Sequence, residues 1–240
     1  MGQKAYDALA SGRILPFFQP IFNNRTKKIE KYEALARMID EDGSVISPAY
    51  FIDVAKRSKQ YAALTRTIFD ATLKALEKTD TQLSVNLTLE DIADPVLSGY
   101  LIERLSQVPK GRMVLELVES EGIENYEEVA VFIAKVKAAG AQVAIDDFGT
   151  GYSNFSYLLK LKVDYIKIDG SLIRSLGSDP AALSVVETIV AFAHKNGFQT
   201  IAEFVSDEAV KAAVEALGIG YSQGYFIGQP DREFLTETTD

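Results

Sequence analysis

Short apolar strands alternate with amphipathic helices along nearly the whole chain, and this alternation constrains the fold more than any other feature. The predicted strands occupy residues 14–22, 28–39, 83–88, 113–119, 143–146, 163–169, 198–205 and 219–227. Strand–helix alternation predicts parallel strands joined by helical crossovers. Seven or eight such units close most naturally into a (β/α)₈ barrel, whose active site lies at the C-terminal ends of the strands.

An open, doubly wound sheet is the alternative architecture for the same alternation. In that fold a nucleotide cofactor binds at a glycine-rich turn that directly follows a strand. No such fingerprint follows any predicted strand here. The sequence therefore favours the barrel.

Composition limits the classes of protein to which the chain can belong. With 240 residues, 47% of them hydrophobic, the chain can form one large domain over residues 1–240. The net charge of −9 argues against a nucleic-acid polymer as partner, because such a partner requires a basic surface. No apolar run approaches the roughly 18–20 residues of a membrane span, and the start has no apolar signal core. A cytoplasmic domain is expected.

Residues 143–151, VAIDDFGTG, place two adjacent aspartates where a predicted buried strand ends. Two neighbouring carboxylates repel each other unless they share a cation. Asp146 and Asp147 are therefore candidate metal ligands. The alternative is a capped turn, because aspartate is common after strands.

The other predicted strands show the same pattern, in which an apolar run ends on a residue that can bind metal or move a proton. These residues are Glu33, Asn86, Glu116, Glu119, Lys167, Asp169, Glu203 and Gln223. A buried ionised group costs several kcal/mol unless it is paired or metal-bound. Their convergence on one barrel mouth favours a functional site over simple solvation.

The chemistry of this set indicates a magnesium or manganese site. All ligands offer oxygen, cysteine is absent, and His194, the one histidine, lies near a helix C-terminus where it complements the helix dipole. Two metals about 3.5–4 Å apart could bridge the attacking and leaving oxygens in phosphodiester hydrolysis. Lys167 would then orient or deprotonate the water, since a desolvated lysine near metals has a lowered pKa. Arg37 could clamp a phosphate, or pair at the surface with Asp40 or Glu41.

The segment YEALAR (32–37) resembles the signature of the EAL domain, the bacterial phosphodiesterase of cyclic di-GMP. Further motifs follow in the family's order: FFQPIF before it, then SVNL, LELVES, DDFGTGYS, KIDGSLI, IAEFV and SQGYFIGQP. The resemblance covers about residues 14–231. It implies a modified TIM barrel with an antiparallel first strand, and hydrolysis of cyclic di-GMP to linear pGpG by in-line attack of a metal-activated water.

The resemblance also implies a role for each matching position. Glu33, Asn86, Glu116, Asp146 and Asp147 resemble the metal ligands for two Mg²⁺ or Mn²⁺ ions, with Glu33 also counted as catalytic. Lys167 and Glu203 resemble catalytic groups, and Gln19, Arg37, Gln223 and Asp169 substrate-binding ones. Glu119 resembles the glutamate that positions the loop after strand five. A homodimer through the segment around 148–157 is expected, as are upstream sensor or GGDEF domains in a longer protein.

Several positions depart from the family pattern. Where the family often has AEGVE, this chain has AEFVS, so Phe204 replaces a glycine and Ser206 replaces a glutamate. Ala36 replaces a common leucine, and Gly170 replaces a common arginine. Ser206 is expected to cap the following helix.

Two other functions stay open at this point. One is a catalytically weak or silent receptor of cyclic di-GMP. The other, from the residues alone, is a metal-dependent enolising enzyme, but that class needs a capping domain for which the chain has no room.

Overall fold

The computed structural model describes residues 2–118, 126–149 and 155–235, without the side chains of residues 2 and 3. The strands in these ranges are β1 (Ile14–Asn23), β2 (Lys28–Ile39), β3 (Val45–Ile46), β4 (Gln82–Leu87), β5 (Met113–Val118), β6 (Gln142–Phe148), β7 (Tyr165–Ile168), β8 (Gln199–Ala202) and β9 (Tyr221–Gln223). The α-helices are α1 (Gly2–Ala10), α2 (Ile52–Arg57), α3 (Tyr61–Ala75), α4 (Leu89–Ala93), α5 (Pro95–Leu105), α6 (Tyr126–Ala138), α7 (Phe155–Leu161), α8 (Gly170–Arg174), α9 (Pro180–Asn196) and α10 (Glu208–Ala216). None of these helices is long and apolar enough to cross a bilayer.

Eight of the strands close into a barrel. Around the ring the order is β1, β2, β4, β5, β6, β7, β8, β9, and β1 pairs with both β2 and β9 to complete the circle. β1 is antiparallel to its two neighbours, whereas the pairs from β2 to β9 around the other side are parallel. The predicted TIM barrel with an antiparallel first strand is confirmed, and the open sheet is excluded.

Local signals in the sequence fix several helix boundaries. The side chain of Asp94 accepts hydrogen bonds from the backbone at the start of α5, where Pro95 is the first helical residue. Asp179 and Pro180 do the same for α9, which ends at Gly197 with a left-handed φ of 78°. Both ends of α9 therefore carry a local signal in the sequence.

The last two strands are shorter than predicted, because the chain leaves the sheet to form the barrel mouth. β8 ends at Ala202, and Phe204 has a φ of 52°, which an extended strand cannot accommodate. β9 ends at Gln223. At the following Gly224, an added Cβ would lie 2.2 Å from the carbonyl oxygen of Val205, so two backbones pass each other there.

The barrel interior is built in two layers, as strand geometry requires. The lower layer contains Lys31, Val114, Ala144, Tyr165, Ile201 and Tyr221, one residue from each of six strands. Successive side chains along a strand point to opposite faces, so the residue two positions later faces inward again. Those residues are Glu33, Glu116, Asp146, Lys167, Glu203 and Gln223. The sequence pattern thus places a polar layer directly above the lower one.

Lys31 closes the bottom of the barrel between two aromatic rings. Its ammonium lies 4.5 Å and 4.6 Å from the ring centroids of Tyr165 and Tyr221, and it donates to the Tyr165 hydroxyl at 3.0 Å. Gln82 also accepts a hydrogen bond from it. The lower layer is therefore a filled floor, and the upper layer faces the open end of the barrel.

Candidate active site

Lys167 lies at the centre of the upper layer and is fully buried. Its ammonium nitrogen is 2.6 Å from Glu116 Oε2, 2.9 Å from Asp146 Oδ1, 3.0 Å from Glu203 Oε1 and 3.3 Å from Glu33 Oε2. These four carboxylates come from four different strands or strand ends. One cation therefore holds together acidic groups that are far apart in sequence.

The acidic groups outnumber their cation, and their pKa values reflect it. Burial, then the charge of Glu33, raises the pKa of Glu116 to about 8. Burial also raises the pKa of Glu203 well above its ordinary range, although Lys167 opposes this shift. The buried carboxyl of Glu33 keeps a lowered pKa, since Lys167, Gln223 and Asn86 together outweigh its desolvation. Four carboxyl groups thus share one lysine, and burial favours the protonated forms of Glu116 and Glu203.

The pKa of Lys167 differs from the sequence-based prediction. Burial by itself would lower it, but Asp146, Glu116, Glu203 and Glu33 together raise the pKa of Lys167 well above its usual range. The four carboxylates thus oppose the lowering that burial would cause. Lys167 donates hydrogen bonds to Glu33 and Glu116 and orients them, and its role in activating water stays a prediction.

A β-bulge brings Asp146 and Asp147 to the same side of the sheet. The pairing between β6 and β7 shifts register between Ile145 and Phe148, and Asp147 has a left-handed φ of 55°. In a regular strand, two adjacent side chains would point to opposite faces. With the bulge, both aspartates line one cavity.

Three carboxylates at this position could hold a metal ion. Asp146, Asp147 and Glu203 each offer a ligand atom, and these atoms lie within 4.8 Å of one another. Glu203 Oε2 is buried without a hydrogen-bond partner in the described part of the chain, as is the amide oxygen of Gln223. Unpartnered buried oxygens and an all-oxygen set fit Mg²⁺ or Mn²⁺.

The other predicted ligands lie beside this trio. Asn86 donates to Glu33 Oε1 at 2.6 Å, and Gln223 donates to Glu33 Oε2 at the same distance. Glu33 and Glu116 are both bonded to Lys167. Lys167 is thus a shared partner of Glu33 and Glu116 here and of Asp146 and Glu203 in the trio.

The mouth of the barrel is a cavity of about 470 Å³ that contains most of the predicted site. It is lined by Gln19, Glu33, Leu35, Arg37, Asp146, Asp147, Arg174, Glu203, Phe204, Val205, Ser206, Gln223, Gly224, Tyr225 and Pro230. Across the antiparallel pair, Gln19 lies directly opposite Glu33. A second cavity, of about 550 Å³ beside His194, has Glu187 as its single carboxylate. The acidic chemistry is thus at the barrel mouth.

Arg37 faces the cavity and is not used in a surface ion pair. Its guanidinium donates to the carbonyl of Ala36 at 2.9 Å, and within the described ranges it forms no salt bridge. Asp40 pairs instead with Lys4 at 2.8 Å. Burial lowers the pKa of Arg37 within a range where it stays charged. The cavity therefore has a cationic side opposite its carboxylates.

Asp169 has a different position from the other predicted residues. Its side chain caps α8 by accepting from the backbone of Ser171 at 2.7 Å, and it does not line the cavity. It is also hydrogen-bonded to Asp147, whose pKa is raised to about 6 by burial and then by the charges of Asp146 and Asp169. Glu119 lies outside the described residues, as do residues 150–154 of the segment expected to form a dimer.

Ser206 also differs from the prediction. The cap of α10 is Asp207, which accepts from the backbone of Val210 at 3.0 Å, and the Ser206 hydroxyl donates to Asp207 at 2.7 Å. Ser206 instead lines the cavity. Asp207 is the cap because its carboxylate reaches the backbone amide of Val210, the third residue of the helix.

Sequence reasoning missed Arg174 and Tyr225 as cavity residues and gave Phe204 no role. Arg174 ends α8, the short helix that Asp169 caps, and this was the available signal for its position near the mouth. Tyr225 follows Gln223 directly beyond the last strand.

An acidic centre at the C-terminal ends of barrel strands is typical of metal-dependent barrel enzymes. The family model described as the EAL domain matches residues 3–230, so the chain belongs to the EAL domain family.

Two curated relatives carry names from this family. The chain is 27% identical over 231 residues to the cyclic di-GMP phosphodiesterase PdeB of Shewanella oneidensis, covering 93% of this chain and 27% of the relative. It is 29% identical over 238 residues to the cyclic di-GMP phosphodiesterase PdeF of Escherichia coli, covering 96% of this chain and 32% of the relative. The chain thus spans about a third or less of their length.

A solved structure supports the same fold. The FimX EAL domain from Pseudomonas aeruginosa, bound to c-di-GMP, superposes with a TM-score of 0.88 at 26% identity. The match covers 96% of each chain.

Proposed function

We propose that this domain hydrolyses cyclic di-GMP to linear pGpG. One observation carries the proposal: the carboxylates of Asp146, Asp147 and Glu203 line the same cavity as the guanidinium groups of Arg37 and Arg174. A phosphodiester is anionic, so it needs cations between itself and a carboxylate cluster. Arginines at the rim can hold the phosphate by paired hydrogen bonds. The names of the relatives support the same substrate.

Mg²⁺ or Mn²⁺, two per site, would be held by Asp146, Asp147 and Glu203, with Glu33, Asn86 and Glu116 beside them. Such ions supply charge stabilisation at phosphoryl oxygens and a water of lowered pKa. The chain's own residues do the rest. Lys167 fixes the orientation of the carboxylates, and Gln19, Gln223 and Arg37 position the ligand at the mouth.

The direct test is incubation of the purified domain with cyclic di-GMP and Mg²⁺, with and without EDTA, followed by nucleotide chromatography. We expect pGpG in the presence of Mg²⁺ and none after chelation. Binding of cyclic di-GMP without any product would instead identify a receptor. Absence of both binding and product would overturn the proposal.

The homodimer and the upstream sensor or GGDEF domains stay predictions. Sedimentation of the domain at tens of micromolar, with cyclic di-GMP and Ca²⁺ present, tests the dimer. A monomer under these conditions would contradict it.

A further inference from the structure

We propose that Phe204, backed by Arg174, forms an aromatic wall on which one guanine base of the ligand stacks. This inference rests on the proposed function and extends it from the phosphate to the base. It assigns a specificity role to residues that the acidic centre does not use.

Phe204 is exposed and fixed at the same time. It lines the cavity that contains the carboxylates, yet 57% of its surface remains accessible. Its φ of 52° is in the left-handed region, which a phenylalanine rarely adopts. Holding an exposed aromatic side chain in such a conformation costs free energy and contributes little burial, so a contact made only with a ligand would explain its placement.

Gly170 is what allows the ring to lie where it does. A Cβ atom added at Gly170 would lie 2.1 Å from Cδ2 and 2.6 Å from Cγ of Phe204. No other residue type could stand at 170 without displacing the ring. The structure thus shows that Gly170 and Phe204 are in direct contact.

Arg174 supports the ring from one side. Its guanidinium carbon lies 4.7 Å from the centroid of the Phe204 ring, at the distance of a cation–π contact. Arg174 also lines the cavity. An aromatic ring paired with a guanidinium group is a platform on which nucleic-acid bases stack. Since phosphate chemistry occupies the acidic centre, a purine base attached to that phosphate is the planar group within reach.

The absence of tryptophan from the whole sequence permits a direct test by fluorescence. In Phe204→Trp the single indole would stack on guanine, and its emission should be quenched when cyclic di-GMP is added. The titration uses Ca²⁺ in place of Mg²⁺ to limit hydrolysis. The matched control is Phe226→Trp, because Phe226 is an aromatic of the neighbouring loop, 47% exposed, that does not line this cavity. Quenching at 204 and not at 226 is the expected result.

Steady-state kinetics separate stacking from a structural role. Phe204→Leu should raise the KM for cyclic di-GMP about 10-fold, the usual scale for losing one base–aromatic stack, with kcat little changed. Its melting temperature should not fall. Gly170→Ala should raise KM similarly, because the added methyl group displaces the ring. Added to the variant Phe204→Gly, which has no ring to displace, Gly170→Ala should leave KM unchanged.

The two levels of the hypothesis fail differently. If calorimetry shows that the wild type binds cyclic di-GMP but Phe204→Trp is not quenched, or if Phe204→Leu keeps the wild-type KM, the aromatic wall is wrong while the phosphodiesterase proposal stands. If the wild type neither binds nor hydrolyses cyclic di-GMP, the proposed function fails and this inference fails with it.

Discussion

Lys167 donates a 2.6 Å hydrogen bond to Glu116 at the centre of the barrel, and both side chains are almost completely buried. The two residues are 51 positions apart in sequence. Their contact makes one lysine the shared cationic partner of an acidic layer, so the centre of the barrel depends on this group for its stability.

Replacing Lys167 by methionine should destabilise the domain strongly. Loss of one partner of a buried ion pair leaves an uncompensated charge and typically costs about 3–5 kcal/mol. The matched control is Lys137→Met, which removes a half-exposed pair with Asp164 at 2.8 Å and should cost below about 1 kcal/mol. Chemical denaturation measures both. Equal losses for the two variants would refute the central role of Lys167.

Replacing Glu33 by alanine should lower the turnover of cyclic di-GMP by on the order of 100-fold or more, because the groups bound to Glu33 lose their fixed positions. Glu33 accepts hydrogen bonds from Asn86, Gln223 and Lys167. The control is Glu30→Ala on the same strand, whose carboxylate binds Asn23 and Thr26 at the other end of the barrel. Near-normal turnover in Glu33→Ala would show that this strand end does not serve the reaction.

Divalent cations should stabilise the wild type in the absence of nucleotide. An ion that binds only the folded state raises stability by about 2.7 kcal/mol at 100 times its Kd. Thermal melting with and without Mg²⁺ or Mn²⁺ measures the effect. The shift should disappear in Asp147→Asn, which removes one carboxylate of the trio.

Ca²⁺ should also stabilise the folded domain but should not support turnover of cyclic di-GMP, since the larger ion relaxes the octahedral geometry. Equal turnover in Ca²⁺ would contradict this.

Replacing Ser206 by glutamate should shift the dependence of activity on Mg²⁺ to lower concentration, by about 10-fold or more for an added outer-shell carboxylate. Ser206 lines the cavity, and the helix cap is Asp207, so the backbone bond from Val210 is kept and only the hydrogen bond from Ser206 to Asp207 is lost. The melting temperature should therefore fall only slightly. Superimposable Mg²⁺ titrations for the two proteins would show that position 206 does not affect metal binding.

Replacing Asp207 by alanine should lower the melting temperature by a few degrees without changing the metal dependence. A backbone hydrogen bond from Val210 lowers the pKa of Asp207, so the cap is favoured in its charged form. Its contribution should be full above the ordinary value of 3.8 and should shrink as pH falls through the lowered pKa of the folded state. Melting of both proteins across this range measures the difference. A gap that widens on acidification would exclude the cap as its source.

The sequence by itself determined the architecture and the chemical composition of the site. Strand–helix alternation is a local pattern, and it predicted the barrel because parallel strands require helical crossovers. Local capping residues mark the start and end of α9. The sequence also showed a polar residue near the end of each strand. Because side chains alternate along a strand, a residue two positions after an inward-facing one also faces inward, as Lys167 does after Tyr165.

Only the tertiary structure decided how these residues interact. The raised pKa of Lys167 depends on four carboxylates from distant segments, and no local pattern records their distances. The bulge that directs Asp146 and Asp147 into one cavity is a register shift in the pairing of β6 with β7. Such a shift depends on two separate strands and not on a local pattern. The contact of Phe204 with Gly170 likewise joins residues 34 positions apart (204 − 170). Sequence fixes which face a side chain occupies, but closure of the barrel sets the distances between faces, and charge interactions depend on those distances.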